Sequence, residues 1–211
     1  MRRRSLAAVI VAVALVVAGA GCNRDRGATA DPTVPTAPPS SSSTSSTTAE
    51  PDIATIPAVI DAAYLNRVLA AFDDLDFEAV RLIQKQKRVS SEASDIFHAF
   101  YGDTWFSTKI DSWISQVNGD PELKGLKQPV GPRHTSVERL IHVSPSCSWI
   151  AVKRDYSEAN TVPIPPRTEY LALVPLDPKN DPNHRNKTAW MIATDGFRKD
   201  GSEPSNPCPT E

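Results

Sequence analysis

The sequence predicts an α+β domain in which N-terminal helices pack on a C-terminal antiparallel sheet of about four strands. Three observations predict it. Apolar residues recur at helical spacing from residue 55 to residue 117, the period drops towards two from Thr135, and the later connections are too short to hold crossover helices.

Thr55-Ile56-Pro57 opens the first helix, with Thr55 as cap and Pro57 tolerated in the first turn. Ile60, Tyr64, Val68 and Phe72 then lie four apart, along one face that should be buried. Asp73-Asp74-Leu75-Asp76 interrupts the pattern. Asp76 caps a second, short helix carrying Phe77, Val80 and Ile83 and ending in the exposed Gln84-Lys85-Gln86-Lys87-Arg88. Ser90 caps a third, with Ile96, Phe97 and Phe100 on its apolar side and Gly102 placed to end it in a left-handed conformation. A fourth runs from about Thr104 to Val117 on Phe106, Ile110, Trp113 and Val117, stopped by Asn118-Gly119-Asp120-Pro121.

Residues 122–133 form a connector containing Gly and Pro. Beyond it Thr135, Val137, Arg139, Ile141 and Val143 alternate with Ser136, Glu138, Leu140 and His142, the mark of a half-buried strand. Pro145-Ser146 supplies a turn, and residues 148–156 make a second strand. The proline-rich Val162-Pro163-Ile164-Pro165-Pro166 precedes a third over 168–176, and a loop rich in Asp, Asn and Pro precedes a fourth over 188–194.

The N-terminus is of a different kind. Arg2-Arg3-Arg4 is followed by an apolar run to Val17 and then Ala18-Gly19-Ala20-Gly21-Cys22, a three-part export signal spanning 1–21. The arginines stay on the cytoplasmic side while the apolar run enters the bilayer. Ala20-Gly21-Cys22 resembles the end of the bacterial lipobox, where the cysteine thiol receives diacylglycerol, although Gly19 stands where Leu or Val is usual. Cys22 is therefore expected to anchor the chain by lipid to the extracytoplasmic face of the cell membrane; a plain secretory signal and an uncleaved membrane helix are the alternatives. Residues 22–53, rich in Ser, Thr and Pro, cannot offset their ordering entropy and read as a disordered tether of roughly 30 Å. That leaves 54–211 as one α+β domain of ordinary size.

With 23 basic and 25 acidic side chains the formal charge is −2, and loss of Arg2, Arg3 and Arg4 makes the chain more acidic still. Without a basic stripe there is little electrostatic reason to bind nucleic acid. Once Cys22 carries lipid, Cys147 and Cys208 remain in an oxidising compartment and should pair. Closing that loop would contribute on the order of 4 kcal/mol by chain entropy. Cys147 as a nucleophile served by His142 or His134 would need a free thiol instead.

The order of elements is similar to the cone-shaped superfamily of nuclear transport factor 2 and ketosteroid isomerase, although here every helix precedes every strand. The segment from Lys187 to Arg198, with Asp200-Gly201-Ser202-Glu203-Pro204 and Cys208, resembles the C-terminus of uncharacterised actinobacterial lipoproteins. The cone-shaped superfamily holds both enzymes and binding modules, so the resemblance implies a fold and no catalytic residue.

Among chemically suggestive residues, Asp177, Asn180, Asp181 and Asn183 offer oxygens, but Lys179 and Arg185 break the ligand array and a solvated turn is expected. His98, His134, His142 and His184 lack the spacing of a zinc site, and neither metal nor cofactor is implied. Trp105, Trp113, Trp149 and Trp190, with Tyr101 and Tyr170, are candidates to line an apolar cavity between helices and sheet, with Asp155 or Asp195 facing it, and a filled core is the alternative. The expected role is a non-catalytic binding module for an envelope protein, a glycan or a small apolar ligand. An enzyme using Asp155 or Asp195 as acid or base is the alternative.

Overall fold

The first helix, α1 (Ala62–Gln86), begins where Asp61 Oδ1 accepts a hydrogen bond from the Tyr64 amide at 2.8 Å, and it ends on Lys87 in a left-handed conformation. A computed structural model describes residues 51–196 and 202–209. The export signal, Cys22 and the tether as far as residue 50 lie outside the described residues.

The break expected at Asp73–Asp76 is absent, and one helix of 25 residues replaces two. Asp73 and Asp76 are buried on the packed side of α1, where each is held by cations from elsewhere in the chain. Thr55 is not the cap either: its carbonyl accepts from the Tyr64 hydroxyl at 2.7 Å, one residue pair of a short segment that docks on the helix. Ile53, at the end of the expected tether, is already fastened, since its carbonyl accepts from the Ala189 amide at 2.8 Å.

Ser90 caps α2 (Ser91–Phe100) as expected, its hydroxyl accepting from Ala93 N. Gly102 is not left-handed, as expected, but extended, and it starts α3 (Asp103–Gly119). Its amide donates to the Ile192 carbonyl at 2.9 Å, and an added Cβ would sit 3.0 Å from the Met191 methyl. Close approach to the sheet, not handedness, favours a small residue there.

Four strands follow: β1 (His134–Val143), β2 (Ser148–Asp155), β3 (Arg167–Pro175) and β4 (Trp190–Gly196). They form an open antiparallel meander in the order β1-β2-β3-β4. Helices therefore precede an antiparallel sheet, the α+β arrangement that the change of period implied. Strict alternation in β1 fails at two register shifts, between Val137 and Arg139 and between Leu140 and His142, so its apolar side chains change face along the strand.

The main core lies between helices and sheet, where Leu69, Phe72, Ile83, Phe97 and Phe100 meet Ile150, Val152, Leu171 and Leu173. A smaller cluster covers the opposite face of the sheet. There Trp149 stacks on Tyr170 at 5.6 Å between ring centroids, beside Ala151, Ala172 and the Cys147–Cys208 disulfide. The disulfide and the Arg139–Glu203 ion pair hold the C-terminal segment to that face.

Candidate functional site

Alternation along β2 places Ile150, Val152 and Arg154 on the helix side of the sheet, and pairing with β3 brings Glu169 to the same side. Arg154, 3% exposed, thus lies at the edge of the apolar core, where a lone charge would be very costly. It is paired twice through one nitrogen. Arg154 Nη1 donates to Glu169 Oε2 at 2.5 Å and to Asp195 Oδ1 and Oδ2 at 2.8 and 3.1 Å. Tyr101 adds a hydroxyl donated to Asp195 Oδ2 at 3.0 Å, and Tyr156 one donated to Glu169 Oε1 at 3.2 Å.

Beside this network runs a second one. Arg133 Nε donates to Asp73 Oδ1 at 2.8 Å, and the Thr135 amide and hydroxyl also donate to the Asp73 carboxylate. Asp76 Oδ1 lies 3.3 Å from Arg133 Nη1 and 3.4 Å from Lys109 Nζ, ion pairs without hydrogen-bond geometry. Removing one partner from such buried pairs costs about 3–5 kcal/mol, because the other charge is left uncompensated.

A cleft of about 190 Å³ opens over these groups. Asp76, Lys109, Arg133 and Arg154 give it a charged floor, and Phe77, Trp113, Leu126 and Val130 give it apolar walls. One wall is the connector after α3, fixed to α1 by Gln84, whose side chain accepts from Val130 N and donates to the Lys127 carbonyl. Gly131 completes it against the turn after β2, where a Cβ would lie 2.6 Å from the Glu158 carbonyl oxygen. Glycine is required at this close approach.

Burial pushes the Asp195 carboxyl up, but Arg154 outweighs it and, with Lys109 and Arg133, holds it at about 2. The Asp76 carboxyl is likewise kept below the usual range by Arg133, Lys109 and Arg154 against the opposing effect of burial. Burial and the Asp195 charge push the Tyr101 hydroxyl well up, so it stays a protonated donor.

Arg154 also leaves Nε and Nη2 buried with no hydrogen-bond partner among the described residues. Unsatisfied charged donors at this depth are costly.

The residues expected to share a cavity are divided. Tyr101 and Asp195 meet, as donor and acceptor. Trp105 packs half-buried on the rim of the main core, and Trp190 is buried in it, its indole donating to the Tyr64 hydroxyl at 2.9 Å. Trp149 faces the other side of the sheet, as alternation from Ile150 requires. Asp155 is exposed at the end of β2 and accepts from the Ser157 amide at 2.8 Å, an ordinary turn contact.

Of the residues expected at a cavity only Trp113 lines this cleft, and Tyr170 lies with Trp149 on the far face of the sheet. The residues missed were Asp76, Lys109, Arg133 and Arg154, and a signal existed: Asp73 and Asp76 fall in phase with the buried face of α1, and Arg154 with the buried face of β2.

The loop of Asp177, Asn180, Asp181 and Asn183 is the solvated turn expected only in part, with Asp177 and Asn183 exposed. Asn180 and Asp181 are buried, and the Asp181 carboxylate accepts from the amides of Arg185 and Asn186, which brace the approach to β4. Among the described residues no group of His, Cys, Asp and Glu is placed to hold a metal ion, and no helix is long and apolar enough to cross a membrane. Compared with known families, curated proteins and solved structures, the chain finds no match, so the chemistry of the cleft rests on its own residues.

Proposed function

We propose that this chain is a lipid-anchored extracytoplasmic protein whose folded part is a non-catalytic binding module, with its ligand seated in the cleft over Arg154. The observation that carries the proposal is the half-satisfied guanidinium of Arg154. Arg154 lines the cleft below apolar walls, and two of its buried donors have no hydrogen-bond partner among the described residues.

The anchor is supported by Arg2-Arg3-Arg4, the apolar run behind them and Cys22. The alternative enzyme loses support from the electrostatics. An Asp195 held at about 2 is fully ionised near neutrality and is a weak proton acceptor, far from the matched value that general acid–base catalysis favours. Asp155 is exposed and held low by the Ser157 amide.

A thermal-shift screen of small molecules against the full chain tests the binding role. Ligands that raise the melting temperature of the wild type and lose the effect in Trp113→Ala are expected. A screen without such ligands, or with ligands indifferent to Trp113, would contradict it.

A further inference from the structure

We infer that the cleft and the groove beside it take an uncharged stretch of polypeptide, with one apolar side chain in the cleft, a second in the groove and a backbone amide between them. This rests on the cleft being the ligand site.

That the ligand carries no charge follows from the floor. Four cations and four carboxylates surround it, and each is paired within the set: Lys109 and Arg133 with Asp76, Arg133 also with Asp73, Arg154 with Glu169 and Asp195, and Arg167 with Glu169. An ion brought against this balanced floor gives up its water and meets no surplus of opposite charge. The walls, Phe77, Val80, Trp113, Leu126 and Val130, suit an apolar side chain instead. About 190 Å³ is a little more than the ~150 Å³ cavity that accommodates one benzene, so a single ring or branched chain fills it.

A second apolar compartment adjoins the first. A groove of about 430 Å³, bounded by Leu123, Val162 and Ile164, shares Gln116, Leu126 and Asn160 with the cleft. The single carboxylate in its lining, Asp120, is engaged by the Lys124 amide at 2.7 Å. Val162 is 70% exposed and Ile164 40%. Pro163, Pro165 and Pro166 hold their segment extended, which leaves both side chains to solvent, and a ligand that covers them removes apolar surface from water.

The polar group comes from the junction of the two compartments, where Asn160 lies. Backbone hydrogen bonds brace it: Asn160 N donates to the Tyr156 carbonyl at 3.0 Å, Thr161 N to the Gly125 carbonyl at 3.0 Å, and Lys127 N to the Ala159 carbonyl at 2.8 Å. Its side-chain amide makes no hydrogen bond among the described residues, although it stands in the lining of both compartments. A carboxamide offers a donor and an acceptor in one plane, the complement of a peptide group, and a braced one engages its partner at a small cost in entropy.

The test is calorimetric titration of the full chain with four probes: N-acetyl-phenylalanyl-leucine amide, the same dipeptide ending in a free carboxylate, the same dipeptide beginning with a free ammonium, and N-acetyl-phenylalanine amide. The uncharged dipeptide is expected to bind at least fivefold more tightly than each of the other three. Asn160→Ala should weaken it at least fivefold. Val162→Ser should erase its advantage over N-acetyl-phenylalanine amide and leave that shorter probe unchanged. Neither side chain holds the fold, the first being unbonded and the second largely exposed, so both variants remain folded.

Either charged form or the shorter amide binding as tightly as the uncharged dipeptide, affinity indifferent to either substitution, or no binding by any of the four would overturn the peptide assignment. If the thermal-shift screen still yields ligands dependent on Trp113, only the ligand class is wrong; if it yields none, the binding role falls as well.

Discussion

Replacing Asp195 with Asn keeps the shape of the side chain and removes one of the two charges that hold Arg154. In the folded chain the carboxyl of Asp195 lies at about 2, against an ordinary 3.8. That difference corresponds to about 2 kcal/mol of stability at neutral pH. Because the folded value is the lower one, the contribution is complete above about pH 5 and is lost as the pH falls through 3.8 towards 2.

The Asp195→Asn protein should therefore be about 2 kcal/mol less stable than wild type at pH 7, a fall in melting temperature of about 4–8 °C for a domain of this size. Near pH 2.5 the gap should shrink to less than about 1 kcal/mol, because Asp195 of the wild type is by then largely protonated when unfolded and partly so when folded. Urea unfolding of both proteins at the two pH values measures the gap directly, and other groups that titrate in both proteins cancel in the difference. A gap equal at both pH values, or below about 0.5 kcal/mol at pH 7, would refute the ion-pair account of the cleft floor.

Cys147→Ser should lower stability by up to about 4 kcal/mol, since the bridge to Cys208 closes a separation of 61 residues, and urea unfolding with and without reductant checks it. Gly131→Ala should cost about 1–3 kcal/mol in the same assay, because the new methyl meets the Glu158 carbonyl in a wall that is tied to α1. Cys22→Ala should move the chain from the membrane fraction to the soluble one and abolish incorporation of labelled fatty acid; labelling that persists would remove the lipid anchor from the account.

The class of fold was legible because periodicity reports which face of an element is buried in α2 and α3, while β2 and β3, buried on both faces, stand out as short apolar runs between turns. It misled where burial is polar. Asp73 and Asp76 looked like a helix boundary because buried acids are rare, yet their partners Arg133 and Lys109 lie 60 and 33 residues away in sequence, beyond any local pattern. The same blindness hid the cleft. Its aromatic wall, Trp113, was among the residues expected at a cavity, but the charged floor beneath it depends on Arg154, Asp195 and Glu169 meeting across three strands. Trp149 and Asp155 were grouped with Asp195 by residue type, whereas the alternation of β2 assigns them to the opposite face from Arg154.

The most direct measurement of the central claim is an NMR titration of the labelled full chain with ligands from the thermal-shift screen, following the Arg154 Nε–H and the Trp113 and Trp149 indole N–H resonances. The first two belong to the cleft, and the indole of Trp149, buried on the far face of the sheet, is an internal control. Saturable shifts at Arg154 and Trp113 with Trp149 unmoved are predicted; shifts confined to Trp149, or none at Arg154, would contradict the cleft as the ligand site.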